Sequence, residues 1–213
     1  MPEPSHVGPD PVPPTQSPAN PATEERAALA AAGIPAGVLS VGATLPDAHL
    51  LDPHGAPTRL YGALGAALAV VVFYRGAWCP HCNRALRRCQ AELLPELLRR
   101  KVPLVAINPQ SPDGSLTMQE KNELTFTVLS DPGNILARQI GILTRPAEPV
   151  RARQLAAGLD IAATNADGTT ELPMPTTLIV GGDHIIRWID VHPNYATRSE
   201  PAEILAALDA SSV

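Results

Sequence analysis

Cysteine is scarce in this chain: three residues in 213, all of them between positions 79 and 89. Three is too few, and odd in number, for the disulfide framework of a secreted domain. Residues 1–22 also lack the charged start and apolar core of an export signal. Together these absences point to a reducing, cytosolic setting. Long apolar runs are missing as well, none approaching the roughly 18 to 20 residues that span a bilayer, so no membrane partner is expected. The basic residues form no block and the net charge is −5, which argues against nucleic acid. A structural zinc site would need a second C-x-x-C or closely paired histidines. Here His49, His54, His184 and His192 are scattered, and His81 lies between two cysteines. No metal and no cofactor are expected.

The composition changes once, near residue 22. The first 21 residues hold a third of the 24 prolines and almost no bulky apolar side chains, which predicts a disordered tail over 1–22. The remaining 23–213 is long enough for one domain with a full core. TEERAALAAAG reads as a short helix from an N-cap at Thr23 to a stop at Gly33, alanine-rich and with little to bury.

The pattern that follows is that of an α/β domain. Short apolar segments flank the turn at Asp52-Pro-His-Gly55 and predict an antiparallel hairpin. Leu68–Tyr74 (LAVVVFY) is continuous and β-branched, as a strand covered on both faces should be. Residues 79–101 have helical spacing, with Cys82, Leu86, Cys89, Leu93 and Leu97 on one side and a kink or break expected at Pro95. Val102–Ile107 closes a β-α-β unit. Residues 115–124 and 134–140 read as helices, with a strand at 126–129 between them. TTLIV (176–180) and IIRWI (185–189) form a second hairpin, and 201–208 a closing helix. Residues 143–173 are weakly patterned and predict a surface excursion with a short helix near 151–159. A β-α-β then β-β-α order, with C-x-x-C at the first strand-to-helix junction, is the layout of a thioredoxin-like fold: a central mixed β-sheet flanked by helices, here with an N-terminal hairpin extension.

That junction carries the chemistry. The first amides of a helix lack partners and carry partial positive charge, so a thiol at Cys79 is favoured as thiolate. His81, if protonated, and Arg75, Arg84 and Arg87 would add to the effect. Cys82, one turn on, is close enough for a disulfide to form with small adjustments. Cys79 is therefore the expected nucleophile and Cys82 the resolving thiol. Cys89, two turns further along the apolar side, reads as a buried filler.

The segments VGATLPD, FYRGAWCPHC, LVAINPQSPDGS, EKNELTFTVLSDPGN and ELPMPTTLIV resemble the peroxiredoxin-like branch of the alkyl hydroperoxide reductase/thiol-specific antioxidant superfamily, over roughly residues 40–208. The resemblance implies a thiol-dependent peroxidase that reduces hydroperoxides and is regenerated by an external thiol reductant such as a thioredoxin-type protein. It also implies that Cys79 attacks, and that Pro175, after Met174, is the cis-proline facing the cysteine pair and shaping a substrate groove with Trp78. The sequence departs from the family where a Thr or Ser and a Pro orient the peroxide: those positions are Gly76 and Val72. The arginine beside the cysteine is replaced by Pro175, leaving Arg75 to supply charge from another direction. With these departures a protein-disulfide oxidoreductase, or a redox-responsive binding module without turnover, stays open.

Overall fold

The computed structural model describes residues 20–211, so the predicted tail lies outside the described residues up to position 19. Helix α1 spans Pro21–Ala32, capped by Asn20, whose side chain accepts from the Ala22 amide. It therefore begins ahead of the expected Thr23, because Asn20 is itself a strong N-cap and Pro21 is preorganised for the first turn. No residue of α1 is buried, as its alanine content foretells.

The hairpin extension is β1 (His49–Leu51) paired with β2 (Pro57–Arg59). The Asp52 carboxylate accepts from the amides of His54 and Ala56 and closes the turn. The short helix α2 (Leu60–Leu64) follows. Then come β3 (Ala69–Phe73), α3 (Pro80–Arg88), α4 (Leu94–Arg99), β4 (Leu104–Asn108), α5 (Pro112–Lys121), β5 (Thr127–Ser130) and α6 (Ile135–Ile140). After these, β6 (Leu143–Thr144), α7 (Glu148–Ala156), α8 (Ile161–Thr164) and β7 (Leu172–Pro173) form the excursion. The chain ends in β8 (Thr176–Val180), β9 (Ile186–Val191) and α9 (Pro201–Ser211).

Seven strands form one mixed sheet in the order β2-β1-β5-β4-β3-β8-β9. β3, β4 and β5 are parallel neighbours, while β8 and β9 run antiparallel to complete the far side. Alternation along β3 fills two cores. Val70, Val72 and Tyr74 face α3, α4 and α9, whereas Ala69, Val71 and Phe73 face α2 and α6. Both faces being covered explains why the strand reads as unbroken apolar sequence. The excursion is pinned at its base where Leu143 pairs with Pro173.

The expected break at Pro95 takes a specific form. Residues Cys89–Leu93 make one π-helical turn between α3 and α4, and Pro95 sits in the first turn of α4. Proline has no amide hydrogen and its ring collides with the carbonyl four residues back, so the wider turn just before it relieves the clash while the helix direction is kept. The apolar face survives the irregularity: Cys82, Leu86, Cys89, Leu93 and Leu97 are all buried.

Candidate active site

The site is the turn from β3 into α3. Cys79 is the N-cap of α3, in extended conformation, with Pro80 at the first helical position. Gly76 has φ of +146°, and a Cβ there would meet the Trp78 indole nitrogen at 2.6 Å and Gln110 Oε1 at 2.7 Å. Glycine is therefore required for the loop to fold beneath those two side chains. Gln110 Oε1 accepts from the Ala77 amide at 2.5 Å, while Asn83 Nδ2 donates to the carbonyls of Ala77 and Cys79, both at 2.8 Å. Asn122 in turn donates to Asn83 Oδ1 at 2.9 Å. This buried polar chain fixes the loop that presents the cysteines.

All three cysteines are free thiols and buried. Cys79 and Cys82 lie in hydrogen-bond contact, with the Cys79 thiol donating to Cys82. The bond from Cys79, the charge of Arg198, the Arg75 amide and a direct bond from Arg198 together outweigh the burial of Cys82 and hold its thiol well below the usual range. Cys79 goes the other way. Its bond to Cys82 and its burial push it up, against the opposing charge of Arg75 and the Cys82 amide. The two directions favour Cys82 over Cys79 as the sulfur that gives up its proton, whereas the sequence favours Cys79.

Arg198 is the reason. It lies in the loop between β9 and α9, and its Nη2 is 3.0 Å from Cys82 Sγ while Nη1 donates to the Tyr195 carbonyl at 2.7 Å. Ser199 and His192 both bond Asp190 Oδ2, at 2.7 and 2.8 Å, and so brace the loop from its two ends. No sequence signal marks Arg198, which is 116 residues from Cys82.

The other expected site residues divide. Arg75 is buried, its guanidinium 3.9 Å from the Tyr195 ring centre and 5.2 Å from that of Trp78. It is a sandwiched cation beside Cys79 and not a solvated strand end. Trp78 lines a cavity over Cys79. His81 is held below its ordinary pKa by burial and by the charges of Arg198 and Arg26, so it is neutral at pH 7 and adds no positive charge. Arg87 is engaged by Asn122.

Pro175 departs from expectation. Among the described residues every peptide bond is trans, the Met174–Pro175 bond included. Met174 and Pro175 link β7 to β8, and the Pro175 carbonyl accepts from the His192 amide at 2.9 Å. Pro175 is also not among the residues lining the cavity over Cys79. Cys89 is buried and pushed up to about 12 by that burial, which leaves it a neutral packing thiol.

The cavity has a volume of about 320 Å³ and is bounded below by Cys79, Pro80, Trp78 and Arg75, with Tyr195 at one side. Its roof is α1 and α7, which pack on each other; Tyr195 donates to the Ala22 carbonyl at 3.3 Å and the Ala147 amide donates to Glu25. Cys82 does not reach it.

A family model described as the AhpC/TSA family matches residues 41–189, from before β1 to within β9, and so spans the whole cysteine turn. The chain belongs to the AhpC/TSA family. A Buchnera aphidicola protein provisionally named peroxiredoxin bcp is 35% identical over 74 residues, which are 34% of this chain and 46% of that protein. The chain thus matches less than half the length of that relative. Among solved structures, the peroxidoxin BcpB of Mycobacterium tuberculosis superposes with a TM-score of 0.63 at 21% identity, covering 82% of this chain and 97% of that one. The bacterioferritin comigratory protein of Xanthomonas campestris, described for alkyl peroxide reduction, gives 0.58 at 18%, covering 83% and 99%. These likenesses establish the peroxiredoxin version of the thioredoxin-like fold. Among the described residues no helix is long and apolar enough to cross a membrane.

Proposed function

We propose that the protein is a thiol-dependent peroxidase that uses the Cys79–Cys82 pair to reduce hydroperoxides. The observation that carries this reading is the pair itself: two reduced, hydrogen-bonded sulfurs at a helix start, with Arg75 beside one and Arg198 on the other. Cys79 is the sulfur that borders the cavity, so it makes the attack. Cys82, held as thiolate, takes the Cys79 proton as the Cys79 sulfur bonds to the distal peroxide oxygen. The O–O bond breaks, the leaving alkoxide takes a proton from solvent while Cys82 gives its own up to solvent, and Cys79 is left as a sulfenic acid. The Cys82 thiolate then attacks the sulfenic sulfur, hydroxide leaves and is protonated from solvent, and a disulfide forms. An external dithiol, such as a thioredoxin-type protein, returns two electrons and restores the pair. That step suits a reducing compartment such as the cytosol.

The test is rapid mixing of the reduced protein with hydrogen peroxide and with an organic hydroperoxide, followed by mass analysis. A loss of two hydrogens at a rate far above that of free cysteine supports the peroxidase. A rate equal to that of free cysteine refutes it. Gly76 and Val72, standing where peroxiredoxins orient the peroxide, favour a second reading as a protein-disulfide oxidoreductase. In that case insulin disulfides are reduced catalytically while peroxide is ignored. A binding module without turnover does neither.

A further inference from the structure

The cavity over Cys79 has a chemical character that peroxide reduction alone does not require. Of its fourteen lining residues three are arginines: Arg26 from α1, Arg75 from the loop after β3, and Arg153 from α7. None is acidic, although the chain as a whole carries a net charge of −5. The carboxylate of nearby Glu25 lies outside the lining and takes the Ala147 amide. Between the arginines the walls are apolar: Trp78, Pro80, Val150, Ala157, Leu159 and Tyr195.

Two buried donors of its lining residues lack hydrogen-bond partners. Arg75 is only 3% exposed, yet its Nε has no hydrogen-bond partner, and the buried indole nitrogen of Trp78 has none either. Arg26 and Arg153 have other freedom. The first makes one bond to Thr23, and the second lies exposed at the rim. A volume of about 320 Å³ is at the small end of organic ligand sites, larger than hydrogen peroxide needs.

We propose that this cavity selects organic hydroperoxides with an apolar body and a carboxylate, and that Arg26 and Arg153 are the specificity-determining residues that bind the carboxylate. The apolar body lies along Trp78, Val150 and Leu159 as the distal oxygen meets Cys79 under the charge of Arg75. A planar guanidinium fork suits a carboxylate better than an ammonium would. Helix α1, half of the roof, lies outside the family-matched segment 41–189 and within the described residues. Arg26 therefore comes from outside the matched segment, whereas Arg153, on α7, lies within it. The chemical role of the bound peroxide rests on the peroxidase reading, whereas the ligand class does not.

Two measurements on the full-length reduced protein separate these claims. The first needs no turnover: iodoacetamide labelling of Cys79, mapped by mass spectrometry, in the presence of octanoate or of octanol. Octanoate should protect at a concentration about tenfold lower than octanol, as expected for one charge-assisted contact, and the double variant R26Q/R153Q should erase that difference. The second compares second-order rate constants for a carboxylate-bearing alkyl hydroperoxide and its methyl ester. The acid should react about tenfold faster, and the ratio should fall toward one in the double variant. If octanoate and octanol protect alike in the wild-type protein, and acid and ester react alike, the inference is overturned while the peroxidase reading stands. Preferential protection by octanoate with no peroxide consumed supports the ligand class and overturns the peroxidase reading.

Discussion

Replacing Arg198 by Gln tests where the charge of the cysteine pair lies. The guanidinium is 3.0 Å from Cys82 Sγ, and two unit charges about 4 Å apart are worth about 4 kcal/mol at an effective dielectric constant of about 20. Arg198 is half-buried, so solvent screens part of this; a charge-assisted hydrogen bond nets about 1.5 to 3 kcal/mol. Taking about 2 kcal/mol, the equilibrium constant for holding the thiolate should fall roughly thirtyfold in R198Q. The assay is a pH titration of thiolate absorbance in the far ultraviolet, paired with the iodoacetamide rate at each pH. R198Q should titrate at clearly higher pH than the wild-type protein, and R198K should recover part of the difference, keeping charge without the planar fork. The low-pH thiolate should vanish in Cys82→Ser. A titration curve for R198Q that superimposes on the wild-type curve, in a variant whose near-ultraviolet circular dichroism is native, would refute the assignment. So would a low-pH thiolate that persists in Cys82→Ser, because the charge would then reside on Cys79.

Four further outcomes are expected. Cys79→Ser should abolish turnover, while Cys82→Ser should slow the first attack by about a hundredfold for want of a base and let excess peroxide carry Cys79 on to sulfinic acid; a rapid phase kept by the first variant and lost by the second reverses the roles. Cys89→Ala should keep activity and lose about 1 kcal/mol in denaturant unfolding. Asn83→Ala strips donors from the Ala77 and Cys79 carbonyls and the acceptor of Asn122, so it should cost about 2 to 3 kcal/mol in the same assay and lower the peroxide rate. A chain starting at Asn20 should melt within a few degrees of the full chain, because the proline-rich segment before it has no core to join, whereas one starting at Thr23 loses the Asn20 cap and the Ala22 carbonyl and should melt lower.

A last expectation concerns pH. The bond from His192, and then that from Ser199, hold Asp190 below the usual carboxylate value. A depressed carboxylate contributes stability above its unfolded pKa of about 4 and loses it as pH falls through the lower folded value. The stability difference between wild type and Asp190→Asn should therefore be flat above about pH 4 and shrink below it. A difference that grows on acidification would be inconsistent with this brace of the Arg198 loop.

Much of the fold was legible because it rests on local pattern. The unbroken apolar run at Leu68–Tyr74 could only be a strand covered on both sides, and Cys79-Pro80 reads as a helix start because proline at the first position is free of penalty. The excursion could be bounded at 143 and 173 from loss of periodicity, and the chain pairs with itself at those two residues. What could not be read depends on contacts distant in sequence. Arg198, Tyr195 and the α1 roof reach Cys79 and Cys82 from the far end and the beginning of the chain, through loops with no periodic signal. Asn83 was within reach: a polar side chain on the buried face of an amphipathic helix, four residues after Cys79, needs partners, and the carbonyls ahead of the helix start are the nearest. The cis form expected of Pro175 failed because it was carried over from the family's layout, with no local turn chemistry in ELPMPTT to require it.

The reversal of charge within the cysteine pair follows from comparing magnitudes. A helix start favours an anion by about 0.3 to 1 kcal/mol at exposed sites and up to about 2 in partly buried ones. Cys79 receives that field and the charge of Arg75, which is also engaged with two aromatic rings. Cys82 receives a direct guanidinium contact, the Arg75 amide and the Cys79 thiol hydrogen at once. Three donors on one sulfur outweigh a dipole on the other, even one turn deeper in the helix. The consequence is a separation of reach from charge. In the proposed mechanism the sulfur that borders the cavity keeps its proton until a substrate arrives, while Cys82, favoured to hold the charge, is fully buried. A free thiolate facing the cavity would be open to repeated oxidation, whereas in the proposed mechanism the attacking sulfur gains its charge by passing a proton to the neighbour that will afterwards displace its oxygen. Arg198, by setting that proton's resting place, couples activation of Cys79 to the readiness of Cys82 to resolve.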